Sequence, residues 1–209
     1  MGRDVPMEND LIKSGAKKLA CCLNRYANKE GLELKKLELG MEFFLINVSK
    51  LIIIYTLAAL FGVVNQTIVV HFAFIVIKRY SFGLHALNST VCSAVSCFLF
   101  VIVPFLLNSA GIGNHIVFPV FIAIVYILYR YAPADTKARP LVGIELRARL
   151  RAKAVISGVV LMILTLFVPN ESTKLLLVMG AVYQCASILP LTYRLLKRSE
   201  RNYETYESI

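Results

Sequence analysis

The sequence predicts an all-α integral membrane protein with six transmembrane helices and an N-terminal amphipathic interfacial helix. Of its 209 residues, 57% are hydrophobic, and the mean hydropathy is +0.66. This apolar share exceeds that of an ordinary soluble domain. Six long apolar runs follow residue 42, and basic residues concentrate in alternate connections between them. These observations favour one membrane domain over one or two soluble domains.

Residues 1–42 form a predicted cytoplasmic segment that contains the amphipathic helix. Within 9–30, apolar side chains recur at steps of three and four, which indicates a helix with one apolar face. That face comprises Ile12, Ala16, Leu19, Leu23 and Tyr26. Flanking lysines suit an anionic membrane surface, although a helix packed on its own domain would show the same pattern. The charges spread through 1–42 argue against a signal peptide.

The predicted membrane domain extends over 43–193, and a cytoplasmic tail follows at 194–209. Several of its apolar runs approach the roughly 20 residues that cross a hydrocarbon core, and two shorter ones suggest tilt or local thinning. The runs are 43–62, 64–80, 90–107, 114–131, 154–168 and 174–193.

Basic residues set the predicted orientation. Of the 23 Lys and Arg residues, 21 fall within 1–42, 78–79, 130–153 and 194–201. Six spans with both termini in the cytoplasm place all of them inside, as the positive-inside rule requires. The net charge of +10 is therefore a topology signal, and no nucleic-acid partner is expected.

The five cysteines indicate neither a disulfide framework nor a metal site. Their number is odd, no CxxC occurs, and the three histidines are scattered along the chain. No zinc or other cofactor is therefore expected. An accessible cytoplasmic thiol would stay reduced.

The candidate site is the stretch YSFGLHALNSTVC, residues 80–92. Its His85 is the one histidine that the predicted topology places on the same side as Cys92. Gly83 permits a turn, and Asn88, Ser89 or Thr90 could cap a following helix. Cys92 would then occupy the first turn of the third span, where unpaired N–H groups and a nearby imidazolium favour a nucleophilic thiolate.

Other interpretations of this pair remain open. Cysteines are common in apolar helices and interfacial histidines often serve as anchors, so spacing and context leave a peptidase and a purely structural pair about equally favoured. A transporter or exporter of a peptide or small solute, with an incidental thiol, would instead need substrate groups at the midplane and discontinuous helices. A non-catalytic membrane scaffold is a third alternative.

The segment GLHALNSTVC resembles the active-site segment of the accessory gene regulator protein B (AgrB) family. The stretch YAPADTKARPL, residues 131–141, is similar to that family's cytoplasmic loop between spans four and five. The resemblance covers nearly the whole chain and implies a thiol protease of the bacterial cell membrane. His85 and Cys92 match the family's catalytic residues, and Gly83 matches a glycine before the histidine. The family often has paired glycines there, whereas Phe82 stands at the first position.

The resemblance also implies a substrate and a chemistry. Family members cleave a small quorum-sensing precursor through a cysteine thioester, at the cytoplasmic face, and promote its closure to a thiolactone or lactone. The precursors carry an acidic C-terminal tail. Four cations near the two motifs are candidates for attracting it, or for contacting lipid phosphates instead: Lys78, Arg79, Lys137 and Arg139. Asp135, and with it Glu145, is a candidate orienter of His85 or a substrate contact, and a homodimer is reasonable for so small a bundle.

Overall fold

The computed structural model describes residues 10–83, 89–107, 109–136, 141–196 and 202–207. Within these ranges the chain is all-α, which confirms the predicted class. A π-helical segment, Phe98–Ile102, connects α4 to α5. The helices are α1 (Asp10–Ala27), α2 (Gly31–Leu60), α3 (Val64–Ser81), α4 (Ser89–Cys97), α5 (Val103–Leu106), α6 (Asn114–Tyr131), α7 (Ile144–Phe167), α8 (Glu171–Ile188), α9 (Pro190–Leu195) and α10 (Glu204–Glu207).

Three helices of the described ranges are long and apolar enough to cross a membrane, namely α2, α6 and α7. The apolar helix Val91–Leu106 is shorter. Most side chains of the three long helices are not buried inside the chain, as lipid-facing side chains would not be. These apolar helices indicate a membrane protein, and the count of six crossings remains a prediction.

Some helix boundaries follow the apolar runs and others do not. The predicted runs 64–80 and 114–131 correspond closely to α3 and α6. By contrast, α2 and α7 begin well before their runs, because the preceding Leu, Glu, Lys, Arg and Ala residues are strong helix formers. Helix α8 ends at Ile188 because the residue before Pro190 is pushed into an extended conformation.

Helix α1 packs on α2 through small residues. Ala16 and Ala20 are buried between the two helices, whereas Leu19, Leu23 and Tyr26 are exposed. A helix therefore occupies most of the predicted segment, and its amphipathic character stays a prediction. Its position on a membrane surface remains a prediction.

Helices α3, α6, α7 and α8 form the main core. Gly180 of α8 lies against α3 so closely that an added Cβ would sit 2.8 Å from the Cβ of Ala73. Gly158 of α7 meets Leu128 of α6 in the same way, at 2.7 Å. Small residues at such crossings let helix backbones approach, which is how membrane helices gain packing contacts.

The connections gather at two ends of the bundle. At the distal end, which comprises 61–63, 109–113 and 168–170, the Ile112 N–H donates to the Glu171 carbonyl at 3.2 Å. Here the buried Lys174 ammonium also donates to the Asn114 side chain at 2.6 Å. The opposite end carries the candidate site, and we call it the motif end.

Candidate functional site

The motif end is built on a short backbone pairing between two loops. The Ala134 N–H donates to the Ser81 carbonyl at 2.9 Å, and the Gly83 N–H donates to the Ala134 carbonyl at 3.0 Å. These bonds form a parallel bridge between Phe82 and Ala134. The segment that leads to His85 is thereby attached to the Ala-Pro-Ala-Asp loop, so the two motifs found in the sequence lie side by side.

A buried amide attaches this pairing to α8. The Gln184 Nε2 group donates to the Ser81 hydroxyl at 2.8 Å and to the Phe82 carbonyl at 2.6 Å. Gln184 is fully buried, so these bonds are shielded from water and costly to lose. The end of α3, the motif loop and α8 are consequently fixed relative to one another.

Phe82 and Gly83 have backbone conformations that favour glycine. Their φ angles are +56° and +110°, and the second is essentially restricted to glycine. Gly83 also approaches α8 closely, because an added Cβ would lie 2.6 Å from the Ser187 hydroxyl oxygen. The structure thus explains the predicted turn at Gly83 and places Phe82 at a position where glycine would be unstrained.

Cys92 lies in the first turn of α4 and is partly buried. In that turn the backbone N–H groups lack intrahelical acceptors and carry the positive end of the helix dipole. The Lys78 ammonium lies within electrostatic range of the Cys92 sulfur and of Lys50. The arrangement thus places the Cys92 thiol near the start of a helix and in electrostatic contact with one lysine side chain.

Several predicted site residues fall outside the described ranges. These are His85, Lys137 and Arg139. The roles predicted for them, including the contact between His85 and Cys92, therefore stay predictions.

The two cations before the motif occupy different surroundings. The Lys78 ammonium lies 4.6 Å from the centre of the Phe74 ring, beside the thiol described above. Arg79 is exposed, with its guanidinium 5.8 Å from the Tyr80 ring centre. Lys78 thus interacts electrostatically with the candidate nucleophile, whereas Arg79 lies at the exposed surface.

Asp135 is buried and holds the C-terminal segment. Its carboxylate oxygens accept hydrogen bonds from the backbone N–H groups of Asn202, at 3.1 Å, and Tyr203, at 2.9 Å. Its backbone carbonyl accepts a hydrogen bond from the Tyr193 hydroxyl at 2.8 Å. Sequence reasoning identified Asp135 but missed this partner segment, because residues so distant along the chain give no local signal.

An open cleft of about 160 Å³ lies beside Asp135. Arg147 is the cation of this cleft that pairs with a carboxylate, since it makes a two-pronged ion pair with Glu207 at 2.6 and 3.0 Å. The cleft is lined by Arg130, Tyr131, Pro133, Ala134, Asp135, Arg147, Arg151, Ile188, Pro190, Tyr193 and Tyr203. The cleft combines cationic and aromatic side chains with a buried carboxylate, a combination suited to a peptide that carries both N–H donors and acidic groups.

The remaining cysteines and histidines take other positions. Cys185 is buried, with its sulfur 4.0 Å from the Ile124 carbonyl oxygen, and Cys97 packs beside the core. The His71 ring stacks on Tyr55 and lies 4.8 Å from the Phe100 ring. Over the described ranges, no group of three or more His, Cys, Asp or Glu side chains could hold a metal ion.

Comparison with known proteins identifies similar sequences along most of the chain. The family model described as accessory gene regulator B matches residues 16–188. An AgrB-like protein of Clostridium acetobutylicum is 38% identical over 200 residues, covering 96% of both chains. One from Listeria innocua is 42% identical over 82% of this chain and 84% of its own. The accessory gene regulator protein B of Staphylococcus intermedius is 32% identical over 87% of this chain and 95% of its own. No solved structure matches the chain.

Proposed function

The chain belongs to the accessory gene regulator B family, and we propose that it is a membrane cysteine endopeptidase that processes a small signal-peptide precursor. The observation that carries this proposal is the position of Cys92. It lies in the first turn of α4 with the Lys78 ammonium in electrostatic range. A thiolate is the reactive form of cysteine, and the first turn of a helix with a cation close by is the kind of environment in which cysteine nucleophiles occur.

Cleavage would begin with attack of the Cys92 thiolate on a peptide carbonyl of the precursor. His85 takes the thiol proton and returns it to the departing amine, so the C-terminal fragment leaves with a new N-terminus. The N-terminal part remains on Cys92 as a thioester. No water is consumed in this step, because the peptide C–N bond is exchanged for a C–S bond.

Ring closure would follow on the same thioester. A thiol or hydroxyl side chain within the bound peptide attacks the carbonyl, forming a thiolactone or lactone and releasing the Cys92 thiol. Exchange of one thioester for another is nearly balanced in energy, so the protein must chiefly keep water from reacting first. Holding the internal nucleophile close to the carbonyl achieves this.

The paired loops of the motif end supply a fixed platform for that geometry. The chain just before His85 is held in place by the backbone bonds of Ser81 and Gly83 to Ala134 and by the Gln184 amide. After His85 in the chain, helix α4 holds Cys92. Small displacements of reacting groups are costly in rate, so rigidity here supports the proposed chemistry.

We place this site at the cytoplasmic face of a bacterial membrane, with six crossings and both termini inside. The domains would then be the cytoplasmic segment 1–42, the membrane domain 43–193 and the tail 194–209. The partners would be lipid, the precursor peptide and a second copy of the chain as a homodimer. The cations Lys78, Arg79, Lys137 and Arg139 would attract the acidic tail of the precursor, and Asp135 would orient His85 or contact the peptide.

The test is to detect the acyl-enzyme directly. The purified protein in lipid nanodiscs is incubated with a short acidic-tailed peptide encoded beside its gene, and the products are analysed by mass spectrometry. We expect a released C-terminal fragment and a mass increase on Cys92, both abolished by Cys92→Ala. Cys97→Ala is the matched control and should retain both. Peptide movement across the bilayer with no cleavage would instead identify an exporter.

A further inference from the structure

The C-terminal segment Asn202–Glu207 contacts the motif end through groups that many peptides carry. Two consecutive backbone N–H groups, of Asn202 and Tyr203, donate to the Asp135 carboxylate. Neither bond depends on a particular side chain in the segment. Asp135 therefore recognises the backbone of a peptide lying in the cleft, whichever peptide it is.

Glu207 is one of the two acidic residues of the segment, with Glu204, and it is the one that contacts Arg147. Its carboxylate accepts two hydrogen bonds from Arg147 and a third from the Gly143 N–H at 2.8 Å. Glu207 lies at the exposed rim of the cleft, so the two-pronged geometry of the pair, and not burial, gives it its specificity. The Arg147 guanidinium also lies 3.8 Å from the centre of the Tyr203 ring. One arginine thus binds both an aromatic ring and a carboxylate, as its planar cation allows.

The cleft is lined by the cations Arg130, Arg147 and Arg151, against the carboxylate of Asp135 and that of Glu207 bound to Arg147. The Arg151 Nε group donates to the Ala132 carbonyl at 3.0 Å. Within the described ranges neither Arg130 nor Arg151 has a carboxylate partner. A peptide with more acidic groups than this segment could therefore bind with greater charge complementarity.

The cleft also lies next to the described end of the segment that leads to His85. Ala134, immediately before Asp135, is hydrogen-bonded to Gly83, and His85 follows Gly83 by two residues in the chain. A peptide bound to Asp135 and Arg147 would consequently be anchored beside Gly83, two residues before the proposed general base in the chain.

We propose that this cleft is a binding site for an acidic peptide segment, and that the chain's own segment Asn202–Glu207 occupies its Asp135 and Arg147 contacts as an intramolecular competitor. The recognition elements are the Asp135 carboxylate for the peptide backbone, and Arg147 with the Gly143 N–H for a glutamate carboxylate. The regulatory part rests on the proposed function: the acidic tail of the precursor displaces Asn202–Glu207 before cleavage. The tail thereby sets how much precursor is needed to occupy the site.

The binding test uses the full chain carrying Cys92→Ala, so that no peptide is consumed, in nanodiscs of neutral lipid. The probe is the fluorescently labelled peptide NYETYESI, which has the sequence of residues 202–209, and its binding is followed by fluorescence anisotropy. Adding Glu207→Gln to the chain weakens the binding of its own tail to Arg147. We therefore expect the probe to bind this variant about tenfold more tightly.

Two controls separate the site from general charge attraction. Arg147→Gln in the chain carrying Glu207→Gln should weaken probe binding about tenfold, whereas Arg149→Gln, two residues away on the same helix, should leave it unchanged. A probe in which glutamine replaces the second glutamate should bind weakly to the chain that carries only Cys92→Ala and Glu207→Gln. Because that chain is the same one that binds the original probe, misfolding is excluded as the cause. Absence of saturable binding, or equal losses from Arg147→Gln and Arg149→Gln, overturns the proposal.

A kinetic arm tests the competition. In the chain that retains Cys92, Glu207→Gln should lower KM for the precursor about tenfold and leave kcat unchanged, because it removes a competitor and not a catalytic group. An unchanged KM overturns the regulatory role. If the probe binds as expected but no precursor is ever cleaved, the peptide site stands and the endopeptidase proposal fails.

Discussion

Two segments contact the motif end, and they are attached in different ways. The loop 132–135 is joined to 81–83 by backbone hydrogen bonds, whereas 202–207 is attached chiefly through the side chains of Asp135 and Arg147. Backbone pairing between two internal loops fixes register and separation within the folded chain. Side-chain recognition of a terminal segment can be transferred to another peptide. The difference assigns positioning of the site to the first segment and exchange of bound peptides to the second.

Gly83→Ala should disrupt the pairing of 81–83 with 132–135, and its effect should be the largest of the changes predicted. The new Cβ would meet Ser187 and Ile188 of α8, and alanine would have to adopt a φ near +110°. Backbone strain and overpacking together should lower the free energy of unfolding by roughly 2–5 kcal/mol. Thermal unfolding in detergent measures this loss, and precursor cleavage should fall with it.

Gly40→Ala is the matched control. Gly40 lies within α2, and nothing lies near the position of its added Cβ. The same chemical change should there stabilise the helix by about 1 kcal/mol. If both alanine variants behaved alike, the close approach of Gly83 to α8 would be refuted.

Gln184→Leu should destabilise the same pairing of 81–83 with 132–135, by a smaller amount. Leucine cannot donate to the Ser81 hydroxyl or to the Phe82 carbonyl, the two groups that Gln184 now bonds inside the core. Loss of buried hydrogen bonds should cost about 2–3 kcal/mol in the free energy of unfolding. Val182→Ala, at an exposed position of α8, should change stability far less. A loss at Val182 as large as that at Gln184 would contradict the role given to the amide.

A pair of substitutions at Phe82 isolates its backbone conformation. Phe82→Gly and Phe82→Ala remove the same ring, so their difference reports φ alone. At φ +56° the glycine variant should be the more stable by about 1 kcal/mol, whereas in an ordinary helix alanine would be favoured. Chemical unfolding of the two variants side by side gives the sign. A more stable alanine variant would exclude the positive φ.

The sequence predicted the helices better than it predicted the contacts of the site. Helices α3 and α6 match their apolar runs because their composition changes sharply at both ends. The start of α2 was not predictable from hydropathy, because a helix continues through charged residues that lie beyond the apolar run. Asp135 was identified, with Glu145, as a carboxylate of the next predicted cytoplasmic loop. Its bonds to Asn202 and Tyr203 join residues more than sixty positions apart, and no local periodicity encodes such a pairing.

Acidification should release the segment 202–207 from Arg147, and this effect should be the smallest of those predicted. The hydrogen bonds from Arg147 and the Gly143 N–H lower the pKa of Glu207 below the ordinary glutamate value of 4.5. A carboxylate with a lowered pKa stabilises the bound tail at and above that ordinary value, and the stabilisation is lost as the pH falls through the lowered pKa. Anisotropy of a fluorophore on the C-terminus should therefore stay high at neutral pH and drop in acid. The Glu207→Gln variant should show low anisotropy at every pH, because it has no carboxylate at this position to protonate. An acid transition that persists in that variant would show that the release does not depend on the ion pair with Arg147.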